Sequence, residues 1–221
     1  MTRWISVFGV VACLALAPAR ADDLAPAERQ RALAQALAAY ERGDLASAEE
    51  RFTQLAASGE PVAQHNLAAM HLRGEAARAS PIKARELLER AAAQGFVTAQ
   101  VALGELHESR RLGPPDLALA LAWYERAAVA GSVDAQVATA TAYFMGRGTP
   151  ADMRLAAQWY RQAANAGDVG AQYILGSLYE KGDGVGVDLR LARYWYAAAA
   201  RQGDEAAPAK LKEIDARLAT Q

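Results

Sequence analysis

The sequence predicts an all-α protein: a right-handed α-solenoid of stacked helix-turn-helix repeats, about five helical pairs plus a C-terminal capping helix. Three observations predict it. First, "LAWYERAAVAGSVDAQ" (Leu121 to Gln136) returns in outline as "AQWYRQAANAGDVGAQ" (Ala157 to Gln172), thirty-six residues on. Self-similarity at such a period marks an array of supersecondary units, each too small to bury its own apolar face. Second, alanine is abundant while Val, Ile and Phe are scarce. Alanine loses no side-chain entropy in a helix and offers little to a pleated sheet. Third, each Ala-rich stretch is preceded by Asp or Ser and followed by Gly, the residues that start and stop helices.

The elements follow in order. Residues 1–21, "MTRWISVFGVVACLALAPARA", read as a cleavable signal peptide: an early cation, Arg3, an apolar run from Trp4 to Leu16, and small residues at the end. The run is short for a membrane span, which takes about 20 apolar residues. A lipid anchor at Cys13 is the alternative, since "VVAC" resembles a lipoprotein cleavage box, although "LALAPARA" would then follow the anchor. Cleavage would remove Arg3 and Arg20 and no acid, leaving 22 cations against 25 acids, and would leave no cysteine. An exported chain of that kind holds itself together by packing alone. This places the protein in the periplasm or outside the cell. The near-zero net charge of -1 gives a nucleic-acid partner no electrostatic help.

Residues 22–62 read as an N-terminal capping repeat with a short loop. Four repeats of 36 follow, at 63–98, 99–134, 135–170 and 171–206, and residues 207–221 form the capping helix. The period shows in columns. Asp44, Ser80, Asp116, Asp152 and Asp188 precede a helix of about 14 residues, called B here, roughly 21 Å long. Ala48, Ala84, Ala120, Ala156 and Ala192 lie within it, with Phe52, Leu88, Tyr124, Tyr160 and Tyr196 one turn on. Gly59, Gly95, Gly131, Gly167 and Gly203 end it, where a left-handed residue stops a helix without steric cost.

Ala63, Ala99, Ala135, Ala171 and Ala207 are expected to open the next helix, A. Offsets +1, +4, +5 and +8 from that alanine share one face at 100° per residue. Offset +5 is always small: Ala68, Gly104, Ala140 and Gly176. A small residue there lets helix B approach closely. "GRGTPAD" and "GDGVGVD", between A and B, lack a preceding strand and a following Lys-Ser/Thr, so they read as turns into an N-cap rather than phosphate loops. The tail "AAPAKLKEIDARLATQ" has Leu211, Ile214 and Leu218 on one face and charges between them, as a cap requires.

Leu175, Gly176, Tyr179, Gly182, Gly184, Val185, Asp188, Ala192, Trp195, Tyr196, Ala199, Ala200 and Gly203 together resemble the Sel-one-like repeat (SLR) family, a branch of the tetratricopeptide-type helical repeats. The copy from Ala135 keeps most of the pattern, with Thr139 and Ala140 for Leu-Gly. The copy from Ala99 has Arg110 for the first loop glycine. The copy from Ala63 departs furthest, with Ser80 for Asp and Leu87-Leu88 for the aromatic pair. The resemblance implies a protein-binding adaptor, regulatory in envelope assembly, secretion or signalling, with the partner on the concave face.

Stacking would bury the B helices and the inner stripe of A, leaving offsets -1, +2, +6, +9 and +10 of A on the concave side. The candidate partner-binding residues are therefore His65, Leu72, Arg73, Val101, Glu105, Glu108, Val137, Thr141, Phe144, Met145, Tyr173, Ser177, Glu180 and Lys181. Val101, Val137, Phe144, Met145 and Tyr173 are apolar or aromatic where plain exposure favours polar residues. They suit an apolar helix or extended segment of another protein, with Glu105, Glu108, Glu180 and Lys181 as a charged rim. Half-burial of the same side chains against the next repeat is the structural alternative.

The expected function is binding rather than catalysis, with no cofactor and no metal. The alternative is a hydrolase or β-lactam-binding protein. "SPIK" at Ser80–Lys83 matches a Ser-x-x-Lys nucleophile pattern, but Ser80 stands in the N-cap column and no Ser-Asp-Asn or Lys-Thr-Gly accompanies it. His71 and His107 share the +8 column with Tyr143 and Tyr179, so packing outweighs a metal site shared with Glu75.

Overall fold

A computed structural model describes residues 25–220; the segment 1–21, with Cys13 and the expected cleavage site, lies outside them. Among the described residues there are eleven α-helices and no strand. They are α1 (Pro26–Glu41), α2 (Leu45–Ala57), α3 (Pro61–Arg73), α4 (Pro81–Ala93), α5 (Val97–Glu108) and α6 (Leu117–Val129). Then come α7 (Val133–Met145), α8 (Met153–Asn165), α9 (Val169–Lys181), α10 (Leu189–Arg201) and α11 (Ala207–Leu218). Each helix packs mainly on its neighbours in sequence, so the core runs the length of the stack as an α-solenoid. None of the described helices is long and apolar enough to cross a membrane.

The N-cap column works as its chemistry requires. Asp44, Ser80, Asp116, Asp152 and Asp188 each accept a hydrogen bond from a backbone amide two or three residues on, at 2.9–3.4 Å. Gly131 and Gly167 stop α6 and α8 with φ of +94° and +99°. The A helices begin two residues earlier than the alanine column implies, at Pro61, Val97, Val133 and Val169. A second set of caps explains the earlier start. Ser132 and Asp168 accept from the Ala135 and Ala171 amides at 3.3 and 2.6 Å, which makes each alanine the third residue of its helix. Both alanine columns are almost wholly buried, which is why no larger residue stands in them.

The residue after each alanine is glutamine, and all four amides turn inward. Gln64, Gln136 and Gln172 donate through Nε2 to the carbonyls of Ala56, Ala128 and Ala164, at 3.2, 3.3 and 3.1 Å. Those carbonyls lie in the last turn of the preceding B helix, where each also accepts the amide of the glycine three residues on, so the glutamine takes the second lone pair. The glutamine thus ties each repeat to the one before it.

Offset +5 positions the aromatic column. A Cβ on Gly104 would stand 2.4 Å from the Tyr124 ring, and one on Gly176 would stand 2.9 Å from the Tyr196 ring. The rings lie directly over the glycine backbone. That lie carries their hydroxyls across helix A to its outer face, where Glu108 and Glu180 accept them at 3.0 and 2.8 Å. Where offset +5 is alanine, Tyr160 is tipped instead toward Thr141, at 3.0 Å.

Candidate functional site

The A helices α3, α5, α7 and α9 carry all the candidate residues, and every one of these keeps some exposure. Val101, Val137, Phe144 and Tyr173 are half-buried, and Met145 is 63% exposed. Phe144 meets Tyr160 edge-on at 6.5 Å between ring centres, and Tyr173 lies against Tyr196 at 5.2 Å. The apolar stripe is thus rooted in the core and open at its surface. Ser177 is half-buried beside it and Lys181 is exposed.

Two of the expected rim charges are already engaged. Glu108 receives the Tyr124 hydroxyl and an ion pair from Arg147. Glu180, with its side chain only 11% exposed, receives Tyr196, Arg217 at 3.0 Å and Lys210 at 3.6 Å. Burial, and then the bond to the carboxylate, pushes the phenols of Tyr124 and Tyr196 upward. Arg73 donates to the Tyr40 hydroxyl at 2.6 Å, with Glu75 3.9 Å away. His65 meets Phe96 edge-on at 5.7 Å, and burial followed by the Arg73 charge lowers its pKa.

Glu105 differs from the other acids. It is exposed at the level of the side chain and has no ion pair among the described residues. Desolvation first, then Asp134 and Glu108, raise its pKa above the ordinary 4.5. A carboxylate with a raised folded-state pKa costs stability once ionised. That cost sets in as pH rises through the unfolded value and is absent below it. Glu105→Gln is therefore expected to raise the melting temperature at pH 7, with the gain shrinking to nothing near pH 4. A scan of melting temperature against pH for both proteins checks this.

Two clefts open on this face. His65, Leu72, Arg73 and Glu105 come together with Leu88 and Leu106 around a space of about 390 Å³. Glu108 and Thr141 line a second of about 130 Å³ beside Tyr124. Val101, Val137, Phe144, Met145, Tyr173, Ser177, Glu180 and Lys181 belong to neither. Sequence reasoning missed Leu88, Leu106, Arg111 and Arg147 as lining residues. Arg111 and Arg147 stand thirty-six residues apart, and each reaches back to offset +9 of the preceding repeat: the Leu72 carbonyl and the Glu108 carboxylate. That shared column was a readable signal.

On the opposite side the +8 column repeats the contrast between full and shortened side chains. Tyr143 and Tyr179 reach the preceding B helix, bonding Glu125 at 2.5 Å and Arg161 at 2.6 Å. The Glu125 bond and burial push Tyr143 up to about 12. His71 is shorter, its Nδ1 finds no partner, and a cleft of about 480 Å³ lies over it beside Lys83 and Leu87. Among the described residues no group of three His, Cys, Asp or Glu could hold a metal ion. Ser80 is committed to capping: its Oγ accepts from the Lys83 amide at 3.4 Å.

A stack of sequential helical pairs with a stripe of half-open apolar side chains along one face defines a helical repeat protein of the α-solenoid class. More narrowly, the chain belongs to the Sel1 repeat family, whose model matches at 61–96, 97–132, 133–168 and 169–204. Proteins of this family generally mediate protein interactions. Among solved structures, a Sel1 repeat protein from Oxalobacter formigenes is 35% identical, with a TM-score of 0.68, over 76% of this chain and 49% of its own. The protein c5321, a protective antigen present in uropathogenic Escherichia coli strains and displaying an SLR fold, is 28% identical, with a TM-score of 0.77, over 85% of this chain and 42% of its own. The chain thus spans less than half the length of either. Comparison with curated proteins gives no match.

Proposed function

We propose that this protein is an exported adaptor, acting in the periplasm or outside the cell, that holds a polypeptide segment of a partner along its A-helix face and carries out no chemistry of its own. The observation that carries this reading is the apolar stripe of Val101, Val137, Phe144, Met145 and Tyr173. Val101, Val137, Phe144 and Tyr173 pack against the core beneath yet remain reachable from outside, and Met145 extends the stripe as an exposed side chain. A ready-ordered surface of this kind binds without much further loss of side-chain entropy. The export signal read at residues 1–21 supports the compartment, and the family supports the type of partner. A role in envelope assembly, secretion or signalling follows from the same resemblance.

A photoreactive residue at Val137 or Tyr173, irradiated in periplasm, tests the reading. Defined crosslinked bands are expected there and not from Leu119 on the B-helix side, which is 38% exposed. Capture at Leu119 with none at Val137 or Tyr173 would remove the reading.

A further inference from the structure

The two clefts on the A-helix face are the same place one repeat apart. Advancing the lining of the larger by one period turns Leu88 into Tyr124, Leu72 into Glu108 and Arg111 into Arg147, and all six are lining residues. The volumes nonetheless differ threefold, about 390 against about 130 Å³. In the smaller cleft the Tyr124 ring and the Glu108 side chain fill the space from below. In the larger, leucine at both positions leaves that space empty. Wall size works the other way, because Leu106 in the larger cleft becomes Ala142 in the smaller. The missing aromatic filler therefore sets the volume.

We propose that the α3–α5 cleft is a socket for one large apolar side chain of the partner segment, phenylalanine or leucine in kind, followed toward α7 by a lysine or arginine that meets Glu105. This inference rests on the A-helix face being the polypeptide-binding surface. The array itself shows what fits, since the equivalent space one repeat on is occupied by an aromatic ring. A polar tip is disfavoured. Elsewhere the phenol finds Glu108 or Glu180, but here the corresponding residue is Leu72, and Leu88 and Leu106 complete the apolar wall. At the rim, Arg73 is paired with Glu75 and Arg111 is turned onto the Leu72 carbonyl. Glu105 keeps no cation and has Asp134, at the start of α7, as a like-charged neighbour. A basic residue on that side relieves both carboxylates.

The test uses the full chain, labelled with 15N, titrated with two capped tripeptides, Lys-Phe-Lys and Lys-Ala-Lys. The Phe peptide is expected to shift the amides of Ala69, Leu72, Ala102 and Leu106 with a millimolar dissociation constant, at least tenfold below that of the Ala peptide, as burying one such side chain implies. Leu88→Phe with Ala68→Gly rebuilds the filled arrangement of the second repeat and should abolish the difference. Ala69→Phe blocks the half-buried mouth without touching the core and should do the same if the double variant folds poorly. Glu105→Gln should weaken the Phe peptide two- to fivefold. Equal affinity for the two peptides, no binding by either, or Phe preference surviving both blocking variants would overturn the socket. Crosslinking from Val137 and Tyr173 separates the two ideas. Capture there that persists with the socket refuted leaves the groove standing, whereas loss of capture refutes the groove.

Discussion

Replacing Gly184 with alanine is expected to cost about 2–5 kcal/mol and to lower the melting temperature by roughly 5–15 °C. Two penalties coincide at this loop glycine. Its φ is +69°, a region that costs an L-residue about 1–2 kcal/mol. A Cβ there would also lie 2.0 Å from the Met153 carbonyl oxygen, 2.2 Å from its carbon and 2.7 Å from the Arg154 nitrogen. All three are backbone atoms at the start of α8, capped by Asp152, so no rotamer change relieves the clash. Two controls isolate the causes. Gly131→Ala keeps the positive φ in open space and should cost only about 1 kcal/mol, while Gly186→Ala, with neither problem, should fall within about 0.5 kcal/mol of the parent. Chemical denaturation of the three variants checks the order. Equal losses at Gly184 and Gly131 would show that the close approach to α8 is not felt.

The second large effect is a reversal of sign. Gly104→Ala should destabilise by about 1–3 kcal/mol, although alanine is the better helix former by about 1 kcal/mol. Its Cβ would come within 2.4–2.8 Å of three Tyr124 ring carbons, and the ring must tip away. Tyr160, over Ala140, shows the tipped lie, with its hydroxyl on Thr141. In the second repeat Glu105 stands in Thr141's column, so the tipped phenol would leave Glu108 for a more exposed acceptor. In a Tyr124→Leu background the clash is gone, and Gly104→Ala should become neutral or stabilising; the first repeat pairs Ala68 with Leu88 in the same two columns, both buried. A double-mutant cycle by denaturation measures the coupling, expected at about 2–3 kcal/mol. A coupling near zero would sever the link between small residue and ring.

Much of this was readable beforehand. The caps at Asp44, Ser80, Asp116, Asp152 and Asp188 and the stops at the glycine column depend on atoms within three or four residues, and a periodic sequence repeats such local chemistry. The small-over-large pairing of Gly104 with Tyr124 and Gly176 with Tyr196 was also visible, because both partners stand in columns. The start of helix A was read two residues late. Burial makes Ala135 and Ala171 conspicuous, while the Ser132 and Asp168 caps vary in type and so form no obvious column.

The site was legible in outline only. The apolar stripe came from helical spacing. The engagement of Glu108 and Glu180 did not, because Arg147 arrives from the following repeat and Arg217 from the capping helix, and their reach depends on backbone placement. Departures from the repeat, Leu88 for tyrosine and His71 for tyrosine, read as mere degeneracy in the sequence. In three dimensions each leaves a cleft, because neighbours spaced for a larger side chain do not close around a smaller one.

Thirty-six-residue recurrence, capping chemistry and alanine spacing were enough to determine an all-helical stack and which stripe of each A helix faces outward, since these depend on short-range geometry that every copy shares. Which carboxylates remain free, and where the outward face is hollow, was decided only by contacts between side chains of successive repeats. Those contacts depend on distances that no linear spacing encodes.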